Sequence, residues 1–266
     1  MPAYGRPPAY ARPVLHIRDA RTGESVPAAP ALRGLTRIET AASGLDPTAL
    51  RVLLTADLLV RALELGGTPV WATLTAPRQH AAELRSTATA LAIRPFEDGH
   101  DLSAGLGEAQ AIHVTTAPPD TFGEGPVVRV APVRWEAEPA PEHAPHPALP
   151  LLLADPEAFR LALLSVPRSE TARLDPGALG EAAGRLARWR RAVAGWARQP
   201  SRPVPDAVRA RLRSAWEDDL DLPGVLRVLR DVASAPDLAD GARFETYAYA
   251  DRLLALDLAR GLGSLA

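Results

Sequence analysis

LTRIETAASGLDPTALRVLLTADLLVRALELGGTPVWATLT, residues 35–75, decides the fold. LTRIETA (35–41) is a short β-type run. From Pro47 to Leu65 the spacing becomes helical, through Leu50, Leu53, Leu54, Asp57, Leu58 and Ala62 on steps of three and four. Asp46 and Pro47 form an N-cap and N1 pair. Gly66-Gly67 close the helix as C-cap glycines do. TPVWATLT (68–75) then returns to the β-branched and aromatic residues of a strand. Strand, helix and strand joined this tightly predict parallel pairing with a crossover helix.

Outward from this unit, Pro77 opens a second helix with Ala81, Leu84, Ala88 and Leu91 along one stripe. QAIHVTT (110–116) and PVVRVAPVR (126–134) read as further strands. Residues 14–135 are therefore expected to form an α/β, Rossmann-like parallel-sheet domain, preceded by a loose, Pro-containing tail at 1–13. EAEPAPEHAPHPALP (136–150), with five prolines, reads as a linker or surface loop.

Beyond Leu151 the pattern is helical to the end, as a stem (151–200) and a C-terminal antiparallel bundle (201–266). Asp175-Pro176 start a helix carrying Leu179, Ala183, Leu186, Trp189, Val193 and Trp196. Asp206 is expected to cap another, with Val208, Leu212 and Trp216 four apart. Asp221 and Pro223 precede Val225, Val228, Leu229 and Val232. Tyr247, Ala250, Leu254 and Leu258 form the last stripe, ended by Gly261.

Composition removes whole classes of chemistry. The 266 residues are 47% hydrophobic with a net charge of −2, and a mean hydropathy of −0.06 and pI near 6.3 fit a globular protein that is not generally basic. Cys, Lys and Asn are absent, which excludes disulfides, thiolate ligands, a P-loop lysine and Schiff-base chemistry. All 30 basic side chains are Arg, a bias that reads as the mark of a GC-rich genome. No apolar run approaches the roughly 20 residues of a membrane span, so no membrane partner is expected. The opening MPAYGRPPAYARP lacks the apolar centre of a secretory signal, and a cytoplasmic location is expected.

Several ordered segments resemble the cysteinyl-tRNA synthetase and mycothiol-pathway cysteine ligase family of class I enzymes. They are VLHIRDARTGESVP (14–27), ADLLVRALELGGTPVWATLTAP (56–77), TATALAIRPFED (87–98), DPEAFRLALLSVPRSETARLDPGALGEAAGRLARWRRAV (155–193) and AWEDDLDLPGVLRVL (215–229). Arg168-Ser169 stands where the family has Arg-Ser. The resemblance implies ATP and zinc as cofactors, two signature motifs and a Rossmann-type crevice.

The expected machinery is missing. The His-Ile-Gly-His signature would fall on Asp46-Pro47-Thr48-Ala49, and neither histidine is there. The Met-Ser-Lys-Ser signature has no lysine to fill it, and the zinc site has no cysteine. Glu142-His143 with His146 is the nearest substitute, in a stretch that also reads as a solvated loop. No catalytic residue, metal or cofactor is therefore assigned, and the resemblance implies a truncated, degenerate homologue.

Three functions stay open. The first is a protein that has lost adenylation and acts in binding, regulation or partnership, with a small molecule or a protein as partner. The second is a divergent ligase or nucleotide-dependent enzyme whose crevice is lined by Thr40, Ser43, Asp46, Thr48, Arg51, Thr73, Thr75 and His113. A satisfied core histidine is the preferred reading of His113, a crevice-facing one the alternative. The third is a tRNA-binding or accessory subunit working through Arg185, Arg188 and Arg191. Asp218, Asp219 and Asp221, placed between two helices, read as caps rather than as a metal cluster. An apolar surface left by a missing insertion is a candidate homo-oligomer interface.

Overall fold

The computed structural model describes residues 15–31, 34–99, 108–136, 146 and 148–263. The expected tail at 1–13 and most of the expected linker at 136–150 lie outside the described residues. A hairpin of β1 (His16–Arg18) and β2 (Ser25–Pro27) is antiparallel. Then follow β3 (Leu35–Ala41), α1 (Pro47–Leu65), β4 (Val70–Thr75), α2 (Ala81–Ala90), β5 (Glu97–Asp98), β6 (Glu108–Thr115) and β7 (Val127–Arg129). These five later strands form one parallel sheet in the order β5-β4-β3-β6-β7. The order reverses between β3 and β6, the place where open α/β sheets leave a crevice beyond their carboxyl ends.

Helix α1 is the centre of the molecule. It touches β3, β4 and β6 as well as α2 and the last helix, α8 (Asp240–Leu254). Enclosure on several sides explains why its burial includes Arg51, Thr55 and Asp57 along with its leucines. The glycine pair ends it as the sequence requires: Gly66 N–H reaches Ala62 O, and Gly67 turns the chain at φ +82°.

The run PVVRVAPVR divides. Its second part is β8 (Val133–Trp135), separated from β7 by Val130-Ala131-Pro132, and proline has no N–H to continue a ladder. β8 leaves the main sheet and pairs in parallel with β9 (Ala172–Leu174). β9 interrupts a region expected to be wholly helical, being too short to show a period. The other helices are α3 (Leu149–Leu152), α4 (Pro156–Leu164), α5 (Pro176–Trp196), α6 (Asp206–Glu217) and α7 (Leu222–Ser234).

Three boundaries differ from expectation. Pro77 leads into a single 3-10 turn at Arg78–His80, and α2 starts at Ala81. Asp206 is the first residue of α6, with Pro205 at the cap position. α8 stops at Leu254 rather than near Gly261, because Ala255 is left-handed at φ +49°. The Asp251 carboxylate accepts from Leu256 N at 2.8 Å and Leu258 N at 2.9 Å, so both leucines are buried in non-helical chain.

Aspartate punctuates the helices. Asp46, Asp155, Asp175 and Asp221 each accept from the backbone N–H three residues on, at 2.8, 3.0, 2.7 and 2.8 Å, with Pro in the following turn. Each such cap stabilises its helix by about 1 kcal/mol. Among the described residues no helix is long and apolar enough to cross a membrane.

One buried cluster runs through both halves, from Ile38 and Leu53 to Tyr247 and Leu253. Arg160 of α4, 1% exposed, crosses it. Its Nε donates to Leu254 O and one Nη to Leu91 O, both at 2.7 Å, while the other lies 3.4 Å from the Asp57 carboxylate. Burial lowers the Arg160 pKa to about 10, so the group stays charged at neutral pH. Asp57 also meets Arg61 at 2.8 Å and Arg94 at 3.2 Å. Asp57→Ala removes the one carboxylate hydrogen-bonded to the buried Arg160 and is expected to cost about 3–5 kcal/mol in urea denaturation.

Candidate ligand cleft

A cleft of about 980 Å³ opens beyond the carboxyl ends of β3, β6 and β7. The hairpin supplies Arg18, Asp19, Ala20 and Gly23; the start of α1 supplies Ser43, Asp46 and Thr48. Thr116, Arg129, Val130, Ala131, Pro132, His146, Arg168 and Ser169 complete the lining. Six separate segments thus meet at one opening.

Both carboxylates in this lining are already used. Asp46 Oδ1 caps α1 through Ala49 N at 2.8 Å. Asp19 is buried and accepts from Arg21 N at 3.1 Å and Val127 N at 3.0 Å. Thr48 Oγ1 accepts from Val133 N at 3.0 Å, tying the start of α1 to β8. The cationic groups are less committed. Arg18 is exposed and donates to Gly23 O at 3.0 Å. Arg168 donates to Arg129 O at 2.8 Å and pairs with Asp219. The exposed Arg129 guanidinium has no hydrogen bond or ion pair among the described residues.

Arg51 lies beneath the lining rather than in it. It is 2% exposed and donates to Glu170 O at 2.6 Å, Pro167 O at 2.7 Å and Ala131 O at 2.9 Å. Longer contacts reach Val166 O at 3.3 Å and Pro132 O at 3.4 Å. Desolvation brings its pKa down to about 10. One guanidinium therefore fixes the Ala131-Pro132 wall against the loop that carries Arg168 and Ser169.

Of the residues expected to line a crevice, Ser43, Asp46 and Thr48 come together at the cleft, and the others do not. Thr40 and Thr73 are buried within the sheet, and Thr75 is exposed at the end of β4. Thr40 Oγ1 is buried without a hydrogen-bond partner. His113 is buried in β6, opposite Glu39 in register. Its Nδ1 lies 2.7 Å from Glu39 Oε2, its Nε2 2.9 Å from Glu124 O, and its ring 5.2 Å from that of Phe122. The hydrogen bond from His113 holds the Glu39 carboxyl below its ordinary value.

On α5, Arg185 donates to Ser165 Oγ at 3.2 Å, whereas Arg188 and Arg191 are exposed. Asp221 caps α7, and Asp219 accepts from Arg18 N at 2.7 Å. Among the described residues no group of three His, Asp or Glu side chains could hold a metal ion. Glu142-His143 lies outside the described residues, and His146 Nδ1 accepts from Ala148 N at 3.3 Å. Sequence reasoning did not gather Arg18, Arg129 and Arg168 into a site. The one available signal was Arg168-Ser169, which matches a family-like dipeptide.

No family model matches the chain. Over 92 residues it is 45% identical to the L-cysteine:1D-myo-inositol 2-amino-2-deoxy-alpha-D-glucopyranoside ligase of Thermobispora bispora, covering 32% of this chain and 22% of the relative. The ligase of the same name from Beutenbergia cavernae is 43% identical over 81 residues, 30% of this chain and 18% of that one. That of Acidothermus cellulolyticus is 36% identical over 105 residues, 40% of this chain and 25% of the relative. The chain is a partial homologue of these ligases, and each match spans a quarter or less of the relative's length.

Two outcomes test the frame of the cleft. Arg51→Gln strands several buried carbonyls and is expected to lower stability by about 3 kcal/mol or more in chemical denaturation. Glu39 has a depressed folded pKa, so its contribution is present above 4.5 and is lost as pH falls through the folded value. Stability of the unsubstituted chain should therefore fall more steeply below 4.5 than that of Glu39→Gln, the two curves converging in acid.

Proposed function

Taking the partial homology to the cysteine ligases as premise, we propose that this chain binds a small molecule in the cleft and does not adenylate it. The observation that carries this reading is Asp46. Its carboxylate caps α1 at the helix end where a class I active site needs positive potential for polyphosphate. A carboxylate about 4 Å from a phosphate charge opposes it by about 4 kcal/mol at an effective dielectric of 20. No lysine anywhere in the chain can follow a transferred phosphate.

The family's cofactors fit this chain poorly. ATP would place its phosphates against a capping carboxylate. Zinc bound through thiolate has no cysteine to bind it.

A second reading, a divergent ligase, draws support from the open and partly polar cleft. Amino-acid-dependent ATP–pyrophosphate exchange separates the two. The expected result, across a panel that includes L-cysteine, is no exchange above a no-protein control. Clear exchange with any amino acid overturns the binding reading in favour of the ligase.

A further inference from the structure

The charged groups of the cleft are unequally partnered. Asp19 and Asp46 each accept from backbone N–H groups through Oδ1, while the Arg129 guanidinium has no partner among the described residues and Arg168 is only partly satisfied. The Arg168 side chain is 9% exposed, lines the opening, and has a buried Nε with no hydrogen-bond partner. A buried guanidinium N–H without an acceptor is costly and rarely kept without a reason.

The remaining nitrogens of Arg168 are locked. One Nη donates to Arg129 O at 2.8 Å; the other pairs with Asp219 and lies 3.4 Å from Arg18 O. The planar fork is therefore immobilised, with its third donor unspent. A guanidinium held in place by its other nitrogens offers a ligand that reaches it a donor of fixed direction.

Asp219 is itself held in an unfavourable conformation. Its φ is +53° and that of Leu220 is +56°, two successive left-handed residues that are not glycine. Such strain persists only when its surroundings over-determine it, and it collects at functional positions. Here Asp219 N donates to His16 O at 2.9 Å, Asp219 Oδ1 accepts from Arg18 N at 2.7 Å, and Leu220 is 2% exposed. The strained turn between α6 and α7 thus delivers one carboxylate to the back of Arg168.

We propose that Arg168 anchors a single anionic group of the cleft ligand, a phosphate monoester or a carboxylate, with Asp219 as the positioning residue behind it. This rests on reading the cleft as a binding site. Asp219 offsets the Arg168 charge and Asp46 faces the same opening, so one anionic group is accepted and a polyphosphate is not. Arg129 supplies the long-range attraction.

The test uses the full chain and two matched pairs of probes: AMP with adenosine, and L-cysteine with its methyl ester. Calorimetry at low salt should show the anionic member of at least one pair binding about tenfold or more tightly than its counterpart. Which pair responds tells phosphate from carboxylate. Arg168→Gln should abolish the preference and Asp219→Asn should weaken it. The double variant should be no worse than Arg168→Gln alone, since the two residues act as one unit. A second measurement needs no stability in the variants. The Arg168 Nε–H resonance of the unsubstituted chain, assigned through Arg168→Lys, should move when the preferred anion is added. Retention of the preference in Arg168→Gln, an unmoved Nε–H resonance, or no binding of either anionic probe overturns the proposal. Exchange activity is measured separately, so failure of the anchor is distinguishable from failure of the non-adenylating reading.

Discussion

The cleft depends on Arg51. A buried guanidinium on the central helix gathers carbonyls from two segments, Ala131-Pro132 and the loop around Pro167 and Glu170, which also bond each other through Ala131 N to Arg168 O at 2.8 Å. Burying that charge is unfavourable in isolation, as its lowered pKa records. Charge-assisted hydrogen bonds to carbonyls that would otherwise be stranded offset the cost. Because α1 is fixed against the sheet, the walls that Arg51 holds are placed relative to the strand ends as well. The opening inherits its shape from a residue that never reaches it.

The same device recurs. Arg160 joins the ends of α2 and α8 to Asp57. Arg190 donates to Leu256 O at 2.6 Å and Asp257 O at 3.0 Å, holding the chain after α8. Arg21 reaches Gly125 O at 2.6 Å and Phe122 O at 2.9 Å, fastening the hairpin to the loop before β7. Arginine suits this work because its planar fork presents several donors at fixed angles, which an ammonium does not. Whatever the origin of an all-arginine composition, the fold uses it to tie irregular segments together through their carbonyls.

Much of this was legible in the sequence where a physical signal is local. The run 35–75 gave its strand, helix and strand because period, cap and glycine stop agree. The caps at Asp46 and Asp175 were legible because Pro follows each directly, and that at Asp221 from its place between two helices; Asp155 went unread. What failed to show was non-local. The division of 126–134 into β7 and β8, and the three-residue β9, follow from the pairing of distant segments. The end of α8 is set by Asp251 reaching forward to Leu256 and Leu258, a contact that helical periodicity continues straight through. His113 has the composition of a crevice residue, but register alone puts it beside Glu39. Arg18, Arg129 and Arg168 are separated by long stretches of chain, and no spacing rule could have collected them.

The β1–β2 hairpin has a role besides supplying Arg18 to the opening. β7 is an outer strand of the sheet, and an outer strand normally leaves a row of backbone groups ready to accept another chain. Here Ala20 N donates to Val127 O at 2.8 Å, and Asp19 Oδ1 takes the Val127 N–H at 3.0 Å. At the opposite margin β5 is two residues long, too short to template a foreign strand. An apolar parallel sheet is thereby closed at one margin and blunted at the other, which protects the molecule from joining edge to edge with its own copies.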